Sequence, residues 1–145
     1  MTITDIQNKI SEEFAVFDDW IDKYNLLVEM GKDLPLIDAR YKTNNHLISG
    51  CQSKVWLHAA YEDGKVIFTA DSDAVITRGI ISLLIRMYSG QKPEDILNSD
   101  LSFLDDIGLK DQLSPNRSNG LLSMIKQMKL YAQVFKLKSD TESNH

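Results

Sequence analysis

Two alternating runs that meet at Asp63-Gly64 constrain this chain more than any other feature. Over 54–61, Val55, Leu57 and Ala59 fall on one face while Trp56, His58 and Ala60 fall on the other, the period-two pattern of a half-buried strand. Asp63 and Gly64 both tolerate positive φ, so they suit a two-residue turn that sends the chain back as a second strand over 65–70. A shorter apolar run over 46–49 reads as a further strand preceding these two. The expectation is a three-stranded antiparallel meander.

Helical periodicity surrounds that sheet. Thr4 and Gln7 have capping-box spacing, and Ile6, Ile10, Phe14 and Phe17 recur at helical intervals, predicting a first helix over 5–17. Asp18 or Asp19 caps a second, with Trp20, Tyr24, Leu27 and Met30 on one stripe and Gly31 at its end. Asp71-Ser72-Asp73 reads as a solvated helix N-terminus rather than a cation site. It opens a long helix whose apolar face includes Val75, Ile76, Gly79, Ile80, Leu83, Leu84 and Met87, ending at Gly90. Short helices follow from Pro93 and over 102–107, and a last one begins near Ser118 or Asn119, with Met124 and Met128 in its core stripe. The predicted fold class is α+β, an antiparallel sheet flanked by helices at both termini. Residues 1–137 make a single domain and 138–145 a flexible polar tail.

Charge and composition exclude several function classes. The chain has 145 residues and a net charge of -5, which argues against a nucleic-acid partner, since phosphate contacts need clustered Lys and Arg. No apolar run approaches the roughly 20 residues that span a bilayer, and the N-terminus lacks the pattern of a secretory signal. The expected location is cytoplasmic, with no membrane partner. Three histidines and one cysteine do not make a metal site, no Gly-x-Ser-x-Gly elbow surrounds a serine, and no phosphate-cradling glycine loop is present.

What remains is Cys51, which stands in Gly50-Cys51-Gln52-Ser53 where the apolar pattern stops at Ser49 and resumes at Val55. A thiol there sits on a turn, with Gly50 giving the backbone freedom and amide dipoles and Lys54 favouring the thiolate. A reactive thiol and an inert buried one both remain open on residues alone. Reactive roles divide into sulfur transfer and redox chemistry through a sulfenic acid, while an inert Cys51 suits a binding module. Arg117 either pairs with a carboxylate or, if its loop neighbours Cys51, positions an anionic or thiolate group.

The run Ile48-Ser49-Gly50-Cys51-Gln52-Ser53-Lys54-Val55-Trp56 resembles the cysteine motif of the SufE family. Asp71-Ser72-Asp73-Ala74 with Arg78-Gly79, and Leu113-Ser114-Pro115-Asn116-Arg117-Ser118-Asn119-Gly120-Leu121, are similar to two further blocks of that family. Asp19-Trp20, Lys23-Tyr24, Gly31 and Leu34-Pro35 match its first quarter, so the likeness runs in order over about residues 5–137. The resemblance implies a fold like that of the scaffold protein IscU without the scaffold's cluster ligands. It implies a sulfur-transfer accessory protein rather than an enzyme: Cys51 takes persulfide sulfur from a SufS-like cysteine desulfurase, stimulates it, and delivers sulfur to a SufBCD-like iron–sulfur scaffold. Pyridoxal phosphate then belongs to the desulfurase and this chain carries no cofactor or metal. Gly50, Gln52, Ser53 and Arg117 are supporting site residues, and homodimerisation is left open. A persulfide needs shelter, so the Cys51 loop is expected to fold its sulfur against apolar walls, Val55 and the long helix among them, and to swing out on docking.

Overall fold

The computed structural model describes residues 1–143. The elements run α1 (Ile3–Ala15), α2 (Trp20–Gly31), two 3-10 turns (Ala39–Tyr41 and Asn44–His46), β1 (Val55–Glu62), β2 (Lys65–Ser72), α3 (Val75–Tyr88), α4 (Pro93–Leu97), α5 (Phe103–Asp106), α6 (Leu109–Gln112) and α7 (Pro115–Ser143). The class is α+β. None of the described helices is long and apolar enough to cross a membrane.

The hairpin forms where the alternation predicts it. β1 and β2 pair antiparallel from Glu62–Lys65 to Val55–Ser72, and Asp63 and Gly64 take φ of 52° and 78°, the two positive values a tight turn of this hand requires. Val55, Leu57 and Ala59 share the buried face with Val66, Phe68 and Ala70.

The sheet has two strands among the described residues, not three. The run 46–49 is too short to hold a ladder because its start is taken up elsewhere. Asn44–His46 winds into a 3-10 turn, with the His46 amide donating to Thr43 O at 3.0 Å. Only Leu47 then bridges Trp56, and the Ile48 amide reaches Val55 O at 2.9 Å before the chain turns away at Gly50. Single-residue bridges also cover the outer edge of β2, a parallel one from Leu36 to Ala70 and an antiparallel one from Gln91 to Val66.

α3 is the centre of the molecule. It packs on β2 along one side and on α2 along the other, and Ile76, Gly79, Ile80, Ile81, Ser82, Leu83, Leu84, Ile85 and Met87 are all buried. Burial on that many faces needs very close approach to α2. A Cβ on Gly79 would lie 2.1 Å from Leu27 O, and one on Gly31 would lie 3.0 Å from the Gly79 amide nitrogen. The two glycines are therefore where the helix backbones meet, and Ser82 Oγ secures the crossing by donating to Met30 O at 2.7 Å.

Three boundaries differ from the sequence reading. The capping box of α1 is Thr2 with Asp5, two residues before Thr4, and Gln7 instead turns inward and donates to Asp100 O at 2.7 Å. Asp71 is not a solvated cap: it lies within the end of β2, is buried, and accepts from Lys42 and Arg78, each at 2.8 Å. Burial pushes its carboxyl up, but the Lys42 and Ser72 hydrogen bonds and the charges of Arg78 and Lys42 outweigh that and hold it below the usual carboxylate range. The N-cap of α3 is Ala74, which offers no side-chain acceptor. Finally, α7 begins at Pro115 rather than near Ser118, because proline is preorganised for a first helical position. It continues past Lys138 through Ser143 as helix where an unstructured tail is predicted; 144–145 lie outside the described residues.

Gly79→Ala places a methyl group inside the van der Waals radius of backbone that cannot rotate away. We expect it to lower the stability of the fold by about 3 kcal/mol, measured as a fall in the urea midpoint with an unchanged slope. A midpoint equal to that of the parent would contradict the close crossing.

Candidate functional site

The turn that carries Cys51 is fixed at both ends. Its first arm is closed by the Ile48–Val55 hydrogen bond, and its second by Asp73, whose Oδ1 accepts from the Lys54 amide at 3.0 Å while its own amide donates to Lys54 O at 3.2 Å. Gly50 is required by its backbone, since its φ of 87° lies in the left-handed region; a Cβ there would also come within 2.5 Å of Ser123 Oγ on α7 and make that side chain rotate.

Held this way, Cys51 points toward α7. Its side chain is half-buried and free of any disulfide, and Sγ lies 3.7 Å from Gly120 O, the geometry of a weak S–H···O=C hydrogen bond. Beside it is a cavity of about 90 Å³ lined by Gln52 and Ser53 from the turn, Thr77 and Ile80 from α3, and Asn116, Arg117, Gly120 and Met124 from α7. The sulfur thus sits where one turn and two helices converge.

Burial pushes the Cys51 thiol above its ordinary pKa. This reverses the electrostatic expectation from sequence. Burial is the cause that sets the direction of the shift, and the Lys54 side chain is exposed.

The sequence-predicted site residues separate cleanly. Cys51, Gln52, Ser53 and Arg117 share the cavity, and Gly50 shapes the turn without lining it. Val55, expected as a wall, is fully buried on the core face of β1 and takes no part. The long helix does contribute, through Thr77 and Ile80. Thr77, Ile80, Asn116, Gly120 and Met124 were not singled out as site residues, yet a signal existed for part of this set: Asn116, Gly120 and Met124 are spaced by four, one face of a helix. Met124, read as core, is both buried and a wall of the cavity.

The histidines lie elsewhere. His58 stacks on Tyr41 with centroids 3.8 Å apart, and His46 lies 5.5 Å from His58. Burial first, then the charges of His46 and Arg40, hold His58 below the usual imidazole range. Among the described residues no group of three or more His, Cys, Asp or Glu is placed to hold a metal ion.

The family model described as "SufE: Fe-S metabolism associated domain" matches residues 8–132. An uncharacterised SufE-like protein of Rhizobium meliloti is 37% identical over 131 residues, covering 87% of this chain and 94% of that protein. One of Rhizobium etli is 37% identical over 132 residues, covering 88% and 89%. SufE-like protein 1 of Arabidopsis thaliana, designated chloroplastic/mitochondrial, is 38% identical over 123 residues; the match spans 84% of this chain but 33% of that longer protein. In fold, the chain resembles the solution structure of a hypothetical protein from Thermus thermophilus, with a TM-score of 0.74 over 88% of this chain and 93% of the other at 21% identity.

Because alkylation needs the thiolate, the raised thiol pKa has a definite sign: the protonated form persists to higher pH than in free cysteine. Iodoacetamide should therefore modify Cys51 more slowly than free cysteine near neutral pH, with a rate profile whose midpoint lies above that of the free amino acid. Equal rates across the profile would show that the sulfur is not sheltered.

Proposed function

The chain belongs to the SufE family of Fe-S metabolism associated domains, and from that membership we propose that it is a sulfur carrier whose Cys51 accepts persulfide sulfur from a cysteine desulfurase. The observation that carries this reading is the placement of the chain's one cysteine on a turn, with its sulfur against Gly120 and open space of about 90 Å³ beside it. An added sulfur atom needs such space, and a turn needs less rearrangement than a helix or strand to present a sulfur to another protein.

The transfer is a thiol exchange. The Cys51 thiol loses its proton, and its thiolate attacks the outer sulfur of the desulfurase persulfide. A new S–S bond forms at Cys51 as the old one breaks, and the desulfurase cysteine leaves as a thiolate. Electrons balance without an oxidant. Pyridoxal phosphate acts in the desulfurase, where an electron sink is needed to cut the carbon–sulfur bond of cysteine.

The resting turn suits the interval between transfers. A buried, protonated thiol hydrogen-bonded to a carbonyl is a poor nucleophile, so activation requires the turn to open on docking and Cys51 to meet a less apolar surrounding. Gly50 is the point at which the turn departs from the Leu47–Trp56 bridge, and the two Asp73–Lys54 hydrogen bonds are the anchor at its other end. The same protonation argues against a peroxide-reducing role, which depends on a resting thiolate. The loaded protein would then pass its sulfur to an iron–sulfur scaffold by the same exchange, with Cys51 as the leaving thiolate.

The direct test mixes the protein with a pyridoxal-phosphate cysteine desulfurase and cysteine, then weighs it intact. One added sulfur atom, removed by reductant and absent in Cys51→Ser, is the expected result. Cys51→Ser should unfold at the parent's midpoint. An unchanged mass for the parent protein under turnover overturns the carrier role.

A further inference from the structure

The cavity beside Cys51 contains more polar capacity than a sheltering apolar wall requires. Thr77 is 7% exposed, lines the cavity, and its hydroxyl has no hydrogen bond to any described residue. Among the described residues no fully enclosed side-chain oxygen or nitrogen is left without a partner, so the unpartnered Thr77 hydroxyl keeps some accessible surface, and Thr77 is a wall of the cavity. Arg117 reaches the same cavity and makes no ion pair among the described residues.

The helices reinforce this. Thr77 belongs to the first turn of α3, whose N-cap Ala74 supplies no side-chain acceptor, and Asn116 and Arg117 belong to the first turn of α7. Neither first turn carries an acidic residue. Two helices of 14 and 29 residues thus bring their first turns to one small space, with the unpartnered hydroxyl of the largely buried Thr77 on its wall.

We propose that this cavity is a binding site for the anionic outer sulfur of a Cys51 persulfide, with the Thr77 hydroxyl as its hydrogen-bond donor. The proposal rests on the carrier reading and adds to it the residue that holds the load. In the unloaded protein Sγ carries a proton and faces Gly120 O. Once loaded, Sγ has no proton to offer that carbonyl, and the negative charge sits one S–S bond farther out, about 2.05 Å away. That displacement moves the charge from an acceptor toward the donors lining the rest of the cavity, so the site distinguishes loaded from empty carrier.

A chemical route to the loaded state separates this proposal from the carrier reading. Cys51 is first converted to a mixed disulfide with a pyridyl disulfide reagent. Hydrosulfide then attacks the Cys51 sulfur, the pyridinethiolate leaves, and Cys51-S-SH remains, with no desulfurase involved. Alkylation of the outer sulfur by iodoacetamide is followed against pH by intact mass, for the parent chain, Thr77→Val and Thr77→Ser. Thr77→Val keeps the side-chain shape without the donor, and should reduce the anionic fraction about ten-fold on the rising limb, a shift of roughly one pH unit. Thr77→Ser should follow the parent. Superimposable parent and Thr77→Val profiles overturn the proposal, as does a Thr77→Ser profile that follows Thr77→Val. An equal shift in the unloaded thiol also overturns it, since that marks a structural effect. If the profile depends on Thr77 but a desulfurase never loads Cys51, the anion site stands and the carrier reading falls.

Discussion

The contact between α2 and α3 at Gly79 is the constraint on which the rest of the structure depends. A helix that is apolar on most of its circumference has to be enclosed, and α3 is enclosed only because the α2 backbone comes within reach of its own. With α3 fixed, its opposite side packs on β2, and its first turn is set beside the end of the hairpin. The cysteine turn then has a rigid neighbour against which to rest. A two-stranded sheet is marginal on its own, so the hairpin depends on packing against the central helix as well as on its pairing.

The cysteine turn gains its shape from three separate elements. Asp73, at the junction of β2 and α3, ties down Lys54; the Leu47–Trp56 bridge closes the other arm; and Ser123 on α7 crowds Gly50 from above. None of these contacts is with the sulfur itself. They hold the turn as a unit against α7 and the junction of β2 and α3. The buried Asp71 with Lys42 and Arg78 secures the strand end from which Asp73 projects.

The electrostatics of the site depend on the state of the sulfur. Burial favours a neutral thiol, whereas in the proposed site the first turns of α3 and α7 and the Thr77 hydroxyl would favour an anion. These preferences act at different points of the same small cavity: the carbonyl of Gly120 faces Sγ, and Thr77, Asn116 and Arg117 line the remaining wall. On the proposed carrier reading, the empty and the loaded sulfur would be stabilised by different groups.

Much of the framework was legible in the residues because it rests on local physics. Alternation and the Asp63-Gly64 turn specify the hairpin and its register, Asp19 starts α2 by capping chemistry, and Pro93 announces a helix start; Gly31, read as a stop signal, instead serves the close approach to α3 and Lys32 is the C-cap. Cys51 on a turn follows from the gap in the apolar pattern. Tertiary structure decided everything that needs two distant segments at once. Whether 46–49 joins the sheet turned on competition with a 3-10 turn, and whether Asp71 caps a helix or is buried turned on Lys42, 29 residues away. The thiol's protonation and the walls of its cavity were settled by residues from α3 and α7, which periodicity can assign to a helix but cannot place beside a given atom.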